Sequence, residues 1–496
     1  MDIAKLSAFI LYFVAMLGIG VFFFIKSKNG GEKDYFLGGR AMGPWVTAMS
    51  AQASDMSGWL LMGLPGSILA FGLGKVWISI GLAIGTALNW IVLAKRLRKF
   101  SKAANDSITL PQYLSNRFAT TNPTLRIICA IVFLISFTIY VASAFQAGMN
   151  VFVNVANISE SVALLIFAVI ILIYTFLGGF KAVCWTDFFQ GLLMLVALLA
   201  VPIVIATTKN LDANLLTQVY TNADGVQHAF TQNPFAAPAS EIISGLVWGL
   251  GYFGMPHILV RFMSIEKPSM IKKSATVSII WVVLTLGAAS LIAYFGRMML
   301  DADFVMNTPE LIFINIVNDI FPSFIAGLLL SAIIAASMST ADSQLLVASS
   351  SFTSDIYKPV IKKSASDKEL LWVGRLVVVI ISIIAYFMVK SGKFGTIMNM
   401  VENAWGLFGA AFGPVVILSL FWKRFTYSGA VAGIVTGAVV DLVWLNFLKA
   451  STGIYEILPG FVAGFVVAVI AALISKAPSQ EVLDIFDRAT DNSIDD

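Results

Sequence analysis

The sequence predicts an all-α protein that crosses a lipid bilayer many times, and three observations lead there. Apolar residues fill 58% of the 496 positions and only 12% are charged, against roughly 25% charged in a soluble domain. Apolar runs of about 18 residues or more, long enough to span hydrocarbon, recur along the whole chain. Lysine and arginine cluster in short segments between those runs. The net charge is only +4 and no basic face rich in aromatics exists, which argues against nucleic-acid binding. Two cysteines, Cys129 and Cys184, support neither a disulfide framework nor a metal site.

Thirteen spans are predicted, at 4–25, 43–72, 75–94, 125–152, 161–179, 184–207, 239–261, 275–297, 322–350, 370–389, 396–421, 427–448 and 454–475. The first run ends at Lys26 without a small-residue cleavage site and reads as a retained span rather than a signal peptide. An odd count puts the termini on opposite sides. With the N-terminus outside, 25 of the 32 lysines and arginines fall in inward segments such as Lys95–Arg126 and Arg261–Lys273. That bias sets an external N-terminus and a cytoplasmic C-terminus. The longest external loop, 208–238, is too short for an enzymatic domain, and 299–321 has room for a short interfacial helix. Pro111 opens an amphipathic piece in the basic loop 95–124. No soluble domain is expected at either end and no enzymatic centre is visible, so any chemistry is expected within the membrane.

Two spans are interrupted. Span 2 carries Ser50, Gln52, Ser54, Asp55, Ser57 and Gly58 at mid-depth, with Gly63 and Pro65 following. A charge there costs at least about 2.5 kcal/mol on insertion scales. Span 7 carries Gly249, Gly251, Gly254 and Pro256 within a few residues, which weakens any helix. Broken backbone is tolerated in a bilayer only under cover of protein or a watery cavity. Interrupted helices at matching positions in two halves mark the binding site of an inverted-repeat transporter. Spans 2 and 7 lie five apart, which predicts two five-helix repeats, spans 2–6 and 7–11, with spans 1, 12 and 13 peripheral. The division is 1–40, a first helix and loop; 41–210, the first repeat; 211–238, an external loop; 239–425, the second repeat; 426–475, two peripheral spans; and 476–496, an acidic tail. Close helix packing through small residues is the competing account of the glycines, but it leaves Asp55 unexplained.

Span 9 holds Ser339 and Thr340, three and four residues after Ala336, which sets both hydroxyls beside the Ala336 carbonyl. Such oxygens suit a hard cation, and loosened carbonyls near Ala53 and Met56 complete a cage of about five. Back-bonding of the hydroxyls to their own helix is the bland alternative. Asp187 opens span 6, where it either pairs with Lys181 or lies on the ion's exit path. Asp342 and Asp355 read as boundary carboxylates, and Glu402 and Asp441 as unexplained intramembrane acids. His257, beside Pro256, is weak evidence for proton coupling.

DYFLGGR at 34–40, AQASDMSGWLLMGLPG at 51–66, TIYVAS at 138–143, GGFKAVCWTDFFQG at 178–191, WGLGYFG at 248–254, PHILVRFM at 256–263, and MST with QLLV at 338–347 occur in order over nearly the whole chain. In these residues the sequence resembles the solute:sodium symporter family. The resemblance implies the leucine-transporter fold and no cofactor, with sodium as coupling ion. It implies a sodium site of the Ala53, Met56 and Ala336 carbonyls with the Ser339 and Thr340 hydroxyls, Asp55 acting on sodium affinity and Asp187 on the inward path. Substrate contacts carry over to Ser57, Gly58, Trp59, Tyr140, Trp248, Tyr252 and Pro256. L-proline is the expected solute. Another amino acid, pantothenate or a sugar acid is the alternative. A single chain in a bacterial inner membrane is expected to suffice. Met255 and the acidic Ala341-Asp342-Ser343 depart from the family's pattern.

Overall fold

The computed structural model describes residues 2–26, 32–177, 179–221 and 227–491; Lys28, Gly178 and the end of the acidic tail lie outside the described residues. In chain order the main helices are α1 (Ile3–Lys26), α2 (Pro44–Asp55), α3 (Leu64–Phe71), α4 (Val76–Leu88), α5 (Lys95–Ala103), α6 (Leu110–Arg117), α7 (Thr124–Ala156), α8 (Glu160–Leu177), α9 (Phe180–Thr208), α10 (Ala239–Val247), α11 (Pro256–Ser264), α12 (Ile271–Arg297), α13 (Ile312–Ile320), α14 (Ser323–Ser351), α15 (Asp367–Ser391), α16 (Ile397–Phe421), α17 (Tyr427–Val443), α18 (Ile457–Ile474) and α19 (Gln480–Thr490).

Among the described residues, ten helical segments are long and apolar enough to cross a membrane, and a pair bent by 44°, Ala239–Phe253 with Pro256–Ser264, makes an eleventh. The expected thirteen exceeds this by two. Span 2 is not among them because its helix is cut at Asp55, and the fifth predicted span runs through α8 up to Gly178, which lies outside the described residues. Two boundaries also move. The third span continues past the first basic residues to Ala103, because Leu97 and Phe100 bury completely while Lys95 and Lys102 stay exposed. The ninth continues from Ser323 to Ile361 through a wide turn that contains Pro359.

Burial sorts the spans. In their most apolar windows the α14 span is 83% buried and α16 89%, whereas α1 and the spans of α17 and α18 are 28% buried. The former pair is the packed centre of the bundle, and the latter three present most of their apolar surface outward. A membrane helix needs only a packed stripe, since lipid accepts the remaining apolar surface.

At one end, residues 209–221 and 227–238 form short turns and an antiparallel pair, Val219–Thr221 with Gln227–Ala229. Leu73 donates its amide to the Thr231 carbonyl at 2.7 Å, tying this loop to the top of span 3. The helix expected within 299–321 is present as Ala302–Asn307 and α13. At the opposite, basic end, Thr109 caps α6 by accepting from the Gln112 amide, where Pro111 predicts a helix start.

Candidate functional site

The site begins with a backbone bond that is not made. In α2 the Met56 amide still reaches the Gln52 carbonyl at 2.9 Å, but Met56 leaves helical geometry at ψ 79°. The Ser57 amide then turns back to the Asp55 carbonyl at 3.0 Å instead of to Ala53. The Ala53 carbonyl is thereby released from its helix in a fully buried place, where an unpaired oxygen is costly. Ser339 of α14 fills the need, its hydroxyl donating to Ala53 at 2.7 Å and lying 3.1 Å from the Ala336 carbonyl. The Thr340 hydroxyl stands 3.5 Å from the same Ala53 oxygen. Oxygens sharing a hard cation at about 2.3–2.6 Å lie about 3.3–3.7 Å apart at right angles. The Thr340–Ala53 pair has that spacing already; the Ser339 pair must open by roughly half an ångström as its hydrogen bond yields to the ion.

Beyond the break, the chain re-enters a helix through a wide turn, Trp59–Gly63, in which the Leu64 amide reaches back to Trp59. Pro65 has no amide to donate, and the wider turn absorbs that loss. Gly58 lies where a Cβ would collide with Ala147 of α7 and crowd the Ser337 hydroxyl at 3.2 Å. Its lack of a side chain is what lets the break lie between α7 and α14.

The second interruption faces the first. Trp248–Phe253 winds tightly after α10, and Pro256 starts α11 at a position that needs no amide. Tyr252 on the tight turn donates its hydroxyl to the Asp55 carboxylate at 2.7 Å, while Tyr140 of α7 and the Trp59 ring nitrogen donate to the Asp55 carbonyl at 3.1 and 3.2 Å. Trp59 and Trp248 lie 6.3 Å apart between ring centres. Asp55 therefore joins both broken helices, and its remaining carboxylate oxygen has no hydrogen-bond partner among the described residues. The structure thus brings Ala53, Ala336, Ser339 and Thr340 into one group. It brings Asp55, Trp59, Tyr140, Trp248 and Tyr252 into a second, with Ser57 and Gly58 in the turn between them. Met56 marks the end of α2 and Pro256 the start of α11. All of these are buried.

Asp187 is partnered differently from the Lys181 pairing considered above. Lys181 lies 3.5 Å from Asp34, whereas Asp187 receives Arg261 at 3.2 Å, Ser50 at 2.7 Å and Ser343 at 3.5 Å. The reason is burial: Asp187 and Arg261 are both at most 1% exposed, and a buried charge demands a buried counter-charge. Arg261 also bonds Ser50, Ser343 and the His257 carbonyl. Asp342, one turn beyond Ser339, is fully buried with neither carboxylate oxygen hydrogen-bonded among the described residues. Asp355 is buried too and accepts from Thr109 at 2.9 Å. His257 packs against Phe137 and Tyr140 and hydrogen-bonds to no described side chain.

Several members were not read as site residues from the sequence. Trp405 of α16 donates to the Trp248 carbonyl at 2.8 Å and meets the Tyr252 ring edge-on at 5.1 Å. Tyr455 lies 5.1 Å from the Trp248 ring and donates to the Glu402 carbonyl. Nothing in their apolar surroundings distinguishes these aromatics. Arg261 had a signal, an arginine four residues after His257 inside an apolar run. Glu402 and Glu456 flank Lys449 at 3.0 and 2.9 Å, and Asp441 is buried nearby.

A cavity of about 470 Å³ at the end bearing residues 209–238 reaches Trp248, with Lys75, His228, Glu310 and Glu402 on its walls. At the basic end one arginine ties several segments together. Arg40, at φ 54° after Gly38 and Gly39, bonds Asp106 at 2.7 Å, Ser101 at 3.0 Å, the Ser107 carbonyl at 2.8 Å and the Met263 carbonyl. Burial alone would raise the Asp106 carboxyl, but Lys33 and Arg40 hold it below the usual range.

Two interrupted helices facing each other, with released carbonyls opposed to hydroxyls, form the arrangement in which comparison with other proteins becomes decisive. The sodium:solute symporter family model matches residues 35–437. The chain belongs to that family. It is 42% identical to a sodium/proline symporter of Haemophilus influenzae over 98% of this chain and 97% of that one. A high-affinity proline transporter of Bacillus subtilis is 43% identical over 95% of this chain and 98% of its own. Among solved structures, a sodium-coupled sialic acid symporter in a substrate-bound outward-open state superposes with a TM-score of 0.78 at 21% identity, covering 96% of this chain and 99% of that one. A nucleobase-cation-symport-1 family transporter gives 0.56 at 14% identity, with 93% and 99% covered. These neighbours establish the leucine-transporter fold for this symporter.

Proposed function

We propose that this symporter couples the entry of L-proline to sodium by alternating access. The observation that carries the reading is the Ser339 hydroxyl on the Ala53 carbonyl released at the break in span 2. Sodium is held by the carbonyls of Ala53, Met56 and Ala336 and the hydroxyls of Ser339 and Thr340. It fixes the turn Met56–Gly58, and that turn in turn places Asp55, Trp59 and the aromatics around the solute. Ion and solute therefore bind cooperatively and reciprocally. The rings of Trp59, Tyr140, Trp248 and Tyr252 suit an apolar ring bearing a secondary ammonium, with Ser57, Gly58 and Pro256 at the half-helix ends. The names of the proline-transporting relatives support this solute.

Sodium leaves toward the basic end past Asp342 and Asp187, which lie beyond Ser339 along the bundle. One sodium falling through about 100 mV releases about 2.3 kcal/mol, and a tenfold gradient adds about 1.4 kcal/mol. Together they sustain several-hundredfold accumulation. Thirteen crossings, repeats at 41–210 and 239–425, an external N-terminus, a bacterial inner membrane and a monomeric working unit belong to the same proposal. It is tested by proline uptake into proteoliposomes driven by a sodium gradient, with competition by other amino acids, pantothenate and sugar acids. Uptake that ignores the gradient would overturn the coupling, and a better competitor than proline would overturn the solute.

A further inference from the structure

At the basic end, α5 and the start of α12 lie side by side, and the C-terminal helix α19 crosses beside them. Phe486 of α19 packs edge-on to Phe100 at 5.2 Å, Asp487 pairs with Lys423, and the Val482 carbonyl accepts from Arg117 at 3.2 Å. The helix is seated by its own contacts. Between these three elements opens a cavity of about 260 Å³. Its wall presents Arg98, Lys99 and Lys102 from α5, Lys267 ahead of α12, and Arg488 from α19. Among the described lining residues, only Glu266 and Asp491 oppose them.

Three of these cations are uncommitted. Lys102, Lys267 and Arg488 are exposed and have no ion-pair or hydrogen-bond partner among the described residues. Arg98 is buried and donates to the Ile265 and Glu266 carbonyls at 2.7 and 3.0 Å, with no carboxylate hydrogen-bonded to it among the described residues. Like charges gathered on one concave surface repel and raise the local concentration of anions. The same two spans also carry lipid-facing rows. Ile84, Leu88 and Ile91 are exposed in the stretch leading to α5, and Ile280, Val283 and Leu284 are exposed on α12. Both rows follow helical spacing.

We propose that this cavity binds the headgroup of an anionic phospholipid, its phosphate among Lys102, Lys267 and Arg488 and its acyl chains along the two apolar rows. Basic pockets where membrane helices leave the bilayer fit such headgroups. Occupancy ties the C-terminal helix to spans 3 and 8 through a shared anion, so the lipid acts as a strut across the basic end.

The full-length protein is purified in detergent and exposed to phosphatidylcholine vesicles with and without phosphatidylglycerol. Retained lipid is counted by native mass spectrometry and the unfolding temperature is recorded. Phosphatidylglycerol is expected to be retained preferentially and to raise the unfolding temperature. Each basic residue near an anionic surface contributes about a factor of five in affinity. The variant carrying Lys102→Ala, Lys267→Ala and Arg488→Ala is therefore expected to hold phosphatidylglycerol about a hundredfold less well. Lys102→Gln alone, which leaves the packing intact, is expected to lose about fivefold. Equal retention of the two lipids, or undiminished retention in both variants, overturns the proposal. Stabilisation by inorganic phosphate alone equal to that by the lipid also overturns it, because a lipid owes part of its affinity to the apolar rows.

Discussion

Replacing Ser339 with alanine tests the sodium site most directly. The hydroxyl donates to Ala53 at 2.7 Å and lies 3.1 Å from Ala336, so one atom touches two of the three carbonyls of the cage. When sodium is bound, that oxygen faces a full charge, and a hydrogen bond or dipole to a charged group is worth about 1.5–3 kcal/mol. Losing it weakens sodium about ten- to a hundredfold. The variant also leaves the buried Ala53 carbonyl dependent on Thr340, now 3.5 Å away. The assay is proline uptake into proteoliposomes across a series of sodium concentrations at fixed membrane potential. The sodium concentration for half-maximal uptake is expected to rise by at least tenfold, while Ser339→Thr, which keeps a hydroxyl, stays near the parent. A half-saturation unchanged in Ser339→Ala would refute the cage, whatever the maximal rate does.

Three more outcomes follow from the geometry. Tyr252→Phe and Asp55→Ala each break the 2.7 Å bond between the two interrupted helices; in a double-mutant cycle on proline binding they should couple by about 1.5–3 kcal/mol, and additive effects would show that the bond does not shape the pocket. Arg261→Gln leaves Asp187 buried without its counter-charge and should cost about 3–5 kcal/mol of stability. Lys181→Gln, at a half-exposed pair with Asp34, should leave the unfolding temperature nearly unchanged, and equal losses would contradict the assignment of Arg261 as the partner. Glu310, in the loop between spans 8 and 9, has its carboxyl raised by burial, offset in part by the amides of Met398 and Ile397. A raised native value means the folded protein holds the proton longer than the unfolded chain, so this contribution is present below the ordinary glutamate range and lost as pH rises through the native value. The stability of the parent relative to Glu310→Gln should therefore fall as pH rises across that window; a difference that is flat, or grows in favour of glutamate, would contradict it.

The bilayer as solvent, the two interrupted spans, and the Ser339 hydroxyl beside Ala336 were legible in the sequence because each is a local property. Hydropathy sums over neighbours, glycine and proline act on their own backbone, and positions three and four apart share a helix face. Span count was less legible. A helix cut at Asp55 falls below the length that marks a crossing. The basic residues from Lys95 onward look like a helix end, yet Leu97 and Phe100 carry the helix on by burying against the rest of the protein.

The amino-acid sequence by itself determined that this chain belongs in a membrane and where its backbone gives way. Tertiary structure alone decided who answers those breaks: Ser339 for the Ala53 carbonyl, Tyr252 for Asp55, Arg261 for Asp187, Trp405 for Trp248, and Arg40 for the loop at Asp106. Most of these partners lie scores to hundreds of residues apart along the chain. No local pattern encodes such pairs, because they are selected only when burial leaves a polar group with one partner in reach.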